Sequence, residues 1–155
     1  MRALVQMIAS ESAVSSCLHD SKKIIAPSAT YPFLLAKIAE KSSLLIVTSS
    51  SRSAEDLASE LRELHNHVLE FPAWETLPHE RLSPSSDTVG RRMAVLRRLA
   101  HPEELGPISV LVTSARAFIQ PIVAGLGQIP ALNFATGVDL SLEKLVSELS
   151  RLGFD

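Results

Sequence analysis

Two apolar runs, SSLLIVTSS (Ser42–Ser50) and ISVLVTS (Ile108–Ser114), constrain this chain more than any other feature. Neither alternates apolar with polar residues, so neither reads as a strand with one wet face. Such runs belong to parallel strands covered on both faces, and parallel strands need crossover connections between them. The intervening sequence supplies these. After Ser50, Ser53 is read as a cap with Asp56 at the capping-box spacing, and Ala54, Leu57, Ala58, Leu61 and Leu64 mark a buried helical stripe. HVLEF then gives a third strand. Upstream, KKIIAP reads as a short strand ended by Pro27, followed by a helix opening near Pro32 with Phe33, Leu34, Ala36, Ile38 and Ala39 on its apolar side.

A punctuated loop, PAWETLPHERLSPSS, holds three prolines and the only tryptophan. The helix after it is expected from about Asp87, in the cap position, with Val89, Met93, Leu96 and Ala100 inward and Arg91 and Arg98 projecting elsewhere. ARAFIQPIV gives a short helix that Pro121 ends or kinks. The order strand, helix, strand, helix, strand, helix, strand predicts a three-layer, doubly wound α/β domain with a mostly parallel sheet. An additional amphipathic helix is expected over Arg2–His19, with Leu4, Met7, Ile8, Val14 and Leu18 on one side, packed beside the core. Beyond Gly125 the pattern changes to a turn-rich stretch with a strand at Ala131–Phe134. A last helix follows, capped by Asp139 or Ser141 and carrying Leu142, Leu145, Val146, Leu149 and Leu152. The expected division is therefore residues 1–125 as the α/β domain and 126–155 as a linker and the first helix of a truncated second domain.

Composition narrows the function classes. The 155 residues are 46% apolar with a formal charge of -2, which fits a globular domain and gives no bulk electrostatic reason to bind nucleic acid. A single cysteine, Cys17, excludes an internal disulfide and a multi-cysteine metal centre. No stretch approaches a membrane span or a signal-peptide core, so the expected compartment is the cytoplasm.

Where an α/β nucleotide-binding domain places its phosphate loop, this chain has APSATYPF. Ala26, Pro27, Ser28, Ala29, Thr30 and Tyr31 include no glycine and no lysine, and prolines stand on both sides. Thr30 is the one remnant of a magnesium-binding hydroxyl, and Lys37 stands too far along the helix to replace the missing lysine. No catalytic set is found. Ser49–Ser51 and Ser83–Ser86 lack an elbow signature, Glu75 and His79 are only two ligands, and His65 and His67 stand at a solvent-facing helix end. No cofactor and no metal are expected. Arg81, Arg91, Arg92, Arg97 and Arg98 are dense enough for a local basic face toward DNA phosphates or an acidic protein. The competing reading is a solvated helix surface paired with Glu80, Glu103 or Glu104.

The stretch FPAWETLPHERLSPSSDTVGRRMAVLRRLA carries a WETLP segment, Trp74, Glu75, Thr76, Leu77 and Pro78, followed by Ser83, Pro84, Asp87 and Arg92. In this it resembles the N-terminal region of bacterial transcription-repair coupling factors, from about Ile24 to Asp155. More distantly, through Pro84 to Thr88, it is similar to the first domain of the excision-repair subunit UvrB. The resemblance implies a UvrB-like fold whose phosphate loop has degenerated, serving UvrA recruitment without ATPase activity. It also implies that contacts to RNA polymerase and DNA, and an ATP-driven translocase, lie in other parts of the full protein. Three readings remain open at this point: a non-catalytic interaction domain, a nucleotide-binding domain with an unconventional loop, and a non-specific DNA-contacting module.

Overall fold

A computed structural model describes residues 23–76, 83–129, 132, 135–137, 139 and 141–151. Three strands, β1 (Leu44–Thr48), β2 (Val68–Phe71) and β3 (Val110–Ser114), form one parallel sheet in the order β1-β3-β2. Leu44 and Val68 both stand level with Val110, so β3 is central and pairs along its whole length. The helices are α1 (Tyr31–Ala39), α2 (Ser51–Arg62), α3 (Ser86–Ala100), α4 (Pro102–Leu105), α5 (Ala115–Ile119) and α6 (Leu142–Arg151). Two 3-10 turns, Ser28–Thr30 and Leu126–Gln128, complete the described elements.

Local chemistry explains most boundaries. Pro32 sits in the first turn of α1, where its missing amide leaves no bond unmade. Ser50 rather than Ser53 caps α2: its Oγ accepts from the Ser53 amide at 3.1 Å, while Asp56 stays exposed beside Arg52. Likewise Ser85 caps α3 by accepting from the Thr88 amide, and the expected cap Asp87 lies in the first turn, where it faces Arg91 at 3.8 Å. α5 stops at Ile119 because Gln120, preceding Pro121, is held extended. Ser141 caps α6 through the Lys144 amide.

The sheet's two faces differ. On one, α1 and α2 cover Val68, Val110 and Val112 with Ala36, Ala39, Ala54, Ala58 and Leu61, and the alanines let the helices sit close. On the other, α3 and α5 bring Val95 and Ala117 onto Phe71, with Leu69 and Leu111 packed beside them. This second layer does not reach β1. Leu44 and Ile46 face the first core, whereas Leu45 and Val47 remain 54% and 46% exposed. The expectation that β1 is covered on both faces is therefore corrected among the described residues.

Other expectations change as well. Lys23–Pro27 joins no ladder, and Ile25 is exposed, so the described sheet has three strands and not four. The inward stripe of α3 is Thr88, Arg92 and Val95, with Leu96 partly buried and Val89 facing out. The helix expected over Arg2–His19, with Cys17, lies outside the described residues. So do most of the strand expected at Ala131–Phe134, and the residues 77–82 and 152–155.

Candidate interaction site at the carboxyl ends of the strands

Ligands of open α/β sheets bind outside the carboxyl ends of the strands, so the residues following β1, β2 and β3 are where chemistry would be sought. A polar cleft of about 330 Å³ lies there, between the start of α2, the loop after β2 and the start of α3. Ser51, Glu70, Trp74, Glu75, Arg91 and Arg116 contribute to its walls.

The geometry of the tryptophan loop is set by Arg92. This arginine is 2% exposed, its guanidinium lying over the Phe71 ring at 4.1 Å and the Trp74 ring at 4.2 Å. Nη1 donates to the Pro72 carbonyl at 2.7 Å and reaches Gln120 Oε1 at 3.4 Å. Gln120 Oε1 in turn accepts the Trp74 amide at 2.8 Å, tying the loop to the end of α5. A charge this buried persists because Nη1 is hydrogen-bonded and two aromatic faces offer negative potential. Burial lowers the pKa of Arg92 below the ordinary arginine value.

Glu75 makes the second tie. Its Oε1 accepts from Ser85 Oγ at 2.5 Å and from Thr88 Oγ1, so the carboxylate closes the loop onto the first turn of α3. Those hydrogen bonds, Ser85 first and Thr88 second, hold its pKa down to about 2. The third group is Glu70, its side chain 4% exposed and 2.6 Å from Arg91 Nη2. Burial pushes its pKa up and outweighs the opposing pull of Arg91.

Trp74, Glu75 and Arg92 are thus brought into one clasp at the end of the sheet, together with Ser85 and Thr88. Thr76, Ser83 and Pro84 flank it, Asp87 is exposed, and Leu77, Pro78, His79 and Arg81 lie outside the described residues. The arginines are dispersed rather than aligned. Arg91 goes to Glu70, Arg97 to Glu104 and to the Ile129 carbonyl, and Arg98 to the Gly106 carbonyl and His67 Nδ1. Phe71, Gln120 and Glu70 went unread as site residues, and Ser85 and Thr88 as partners of Glu75. Only Ser85 left a local signal, a serine three residues before Thr88 at a helix start.

The phosphate-loop position is closed by its own backbone. Ser28–Thr30 forms a 3-10 turn in which the Thr30 amide and Thr30 Oγ1 both donate to the Pro27 carbonyl, at 2.9 and 2.7 Å. The hydroxyl expected as a magnesium remnant is used locally, and Lys37 is paired with Glu40 at 2.5 Å. Elsewhere, His101, Glu103 and Glu104 bring potential metal-ligating atoms within 4.8 Å of one another, but His101 faces Glu103 and Glu104 is taken by Arg97. No described helix is long and apolar enough to cross a membrane.

No protein-family model matches the chain. Among curated proteins it is 42% identical over 139 residues to the transcription-repair-coupling factors of Mycobacterium bovis (strain ATCC BAA-935 / AF2122/97) and Mycobacterium tuberculosis (strain CDC 1551 / Oshkosh). Each match covers 87% of this chain and 11% of the relative. It is also 36% identical over 84 residues to the transcription-repair-coupling factor of Haemophilus influenzae (strain ATCC 51907 / DSM 11121 / KW20 / Rd), covering 50% of this chain and 7% of that protein. The chain thus spans about a ninth of the length of the mycobacterial relatives. With a parallel α/β sheet and an identity of this level over nearly its whole length, the chain belongs to the transcription-repair-coupling factor family, as a UvrB-like N-terminal domain.

Proposed function

We propose that this domain is a non-catalytic structural and interaction module that supports recruitment of UvrA to lesions where RNA polymerase has stalled. The observation that carries the reading is the closed loop at Pro27–Thr30. A phosphate cradle needs free backbone amides and an available hydroxyl. Both the amide and the hydroxyl of Thr30 are spent on the Pro27 carbonyl. The clasp is self-contained in the same way: its buried charge and its carboxylate are satisfied by neighbouring groups of the chain, which suits a rigid support better than a reaction centre.

In this reading the ATP-driven translocation of DNA and the contacts to RNA polymerase belong to other parts of the whole protein. We place the end of the first module slightly beyond residue 125. The turn Leu126–Gln128 packs on α3, and a Cβ placed on Gly127 would lie 2.5 Å from the Leu96 carbonyl oxygen. We therefore set the division after Ile129, with α6 opening the second, UvrA-binding module.

Calorimetric titration with magnesium-ATP is the direct test. No heat of binding is expected up to millimolar nucleotide, and saturation by a single site at micromolar nucleotide would return the domain to the nucleotide-binding class. UvrA affinity of the full-length protein, measured with and without residues 27–129, tests the supporting role. A drop is expected on removal, and an unchanged affinity would overturn it.

A further inference from the structure

At the amino ends of β2 and β3, one side chain ties two turns together. Arg98, in the last turn of α3, donates from Nε to the Gly106 carbonyl at 3.0 Å and from Nη2 to the Pro107 carbonyl at 3.3 Å. The same Nη2 lies 2.8 Å from His67 Nδ1, so the turn leading into β3 is joined to the turn between α2 and β2. Among the described residues His67 is the only one other than glycine with a positive φ, 62°. Left-handed backbone is uncommon outside glycine and persists where neighbouring contacts fix it. The contacts here are substantial. The His67 carbonyl accepts the amides of Ser109 at 3.2 Å and Val110 at 3.3 Å, the bonds that open the pairing of β2 with β3.

We propose that Arg98 and His67 form a proton-released strap: protonation of the exposed His67 ring detaches it from Arg98 and loosens the start of the β2–β3 ladder. A guanidinium carries donors only, so its bond to His67 requires a bare Nδ1, with the ring neutral and its proton on Nε2. Protonation turns Nδ1 into a second donor and sets two cations against each other. Histidine is the side chain whose ordinary charge change falls between roughly pH 5 and 8, and His67 is open to solvent. The other titratable groups nearby have different engagements. His65, on the same turn, directs Nδ1 at the Asn66 carbonyl, a contact in which the ring donates whether neutral or charged. On α4, Glu103 turns to His101 and Glu104 to Arg97, while Arg62 and Glu63 at the end of α2 are exposed. Glu70 on β2 is held by Arg91. The charge set at the His67 ring is therefore that of Arg98, and only His67 among these groups loses its hydrogen bond on gaining a proton.

Amide hydrogen exchange of the intact chain at about pH 8 and about pH 5.5, expressed as protection factors, tests the strap. Protection of the Ser109 and Val110 amides is expected to fall about three- to tenfold at the lower pH, the equivalent of one ordinary hydrogen bond. His67→Asn is the discriminating variant, because asparagine tolerates left-handed backbone and offers a carbonyl oxygen that accepts in both conditions. Its protection of the two amides should stay high and change little with pH. In Arg98→Met the protection should already be low at the higher pH and remain so. Nitrogen shifts of the His67 ring should place the proton on Nε2 at the higher pH. A proton on Nδ1 there, equal protection of the parent chain in both conditions, or a fall of the same size in His67→Asn overturns the proposal.

Discussion

Replacing Arg92 tests whether a buried charge organises the tryptophan loop. In Arg92→Ala the Pro72 carbonyl loses a charge-assisted hydrogen bond, of the kind worth about 1.5–3 kcal/mol. The Phe71 and Trp74 rings lose a desolvated cation, worth on the order of 2 kcal/mol for the pair once overlap between the two contacts is allowed for. Against this stands the cost of burying the guanidinium, several kcal/mol, which the mutant no longer bears. The cavity left behind adds a penalty of its own, so the net expectation is a loss of about 3 kcal/mol. Arg92→Met refills the volume without the charge and should lose about 2 kcal/mol, chiefly through the unpartnered carbonyl. Trp74, the only tryptophan, reports the transition. With a urea slope of about 2 kcal/mol per molar, the midpoint should fall by about 1.5 M for alanine and about 1 M for methionine. The native emission of Trp74 should change in both. If Arg92→Met were as stable as the parent and Trp74 emission unaltered, the guanidinium would not be what holds the loop, and this account of the clasp would be wrong.

The other predictions concern the carboxylates and the glycines. Glu75 has a folded pKa of about 2, below its ordinary value of 4.5. Its contribution is therefore complete above pH 4.5 and lost as pH falls toward 2, and Glu75→Gln should flatten that acid limb in urea titrations at several pH values. Glu70 is shifted the other way, so its ionisation weakens the fold above its raised pKa and the penalty is relieved as pH falls. Glu70→Gln should raise the urea midpoint at pH 7 and leave it unchanged or lower at pH 3. Gly90 lies inside α3 with open space where a methyl group would stand, and its change to alanine should gain about 0.5–1 kcal/mol. Gly127→Ala forces a methyl to 2.5 Å from the Leu96 carbonyl oxygen and should lose about 1–3 kcal/mol, both read from thermal melts.

The periodic and punctuating residues announced their structures. The runs at Leu44–Val47 and Val110–Val112, the stripe Ala54, Ala58, Leu61 and the prolines at 32 and 121 each act within one element, and a linear reading finds them. The misreadings share a different origin. Ser50 and Ser53 are equally good caps by composition, and only the backbone turn decides between them. Lys23–Pro27 has the residues of a strand but no described strand beside it, and pairing is a property of two segments. Arg92 reads as surface because arginine is rarely buried. Its cover comes from Phe71 and Trp74 across a loop, and from Gln120 beyond β3. Trp74, Glu75 and Arg92 of the clasp are named by the family motif, but its contacts, Glu75 to Ser85 and Thr88 above all, join positions that no local pattern links.

The strand order carries a consequence for how the chain acquires its structure during synthesis. Among the described residues β1 and β2 do not pair with each other; both pair with β3, which comes last of the three. No ladder hydrogen bond of this sheet can form until Val110–Ser114 has left the ribosome. Until then Leu44–Thr48 and Val68–Phe71 are unpaired apolar strands, the kind of segment that associates with other chains. The slow step of folding should accordingly be the arrival of β3 between two waiting strands, an all-or-none insertion across more than 60 residues of loop closure for β1, set by ring size rather than by local helix formation.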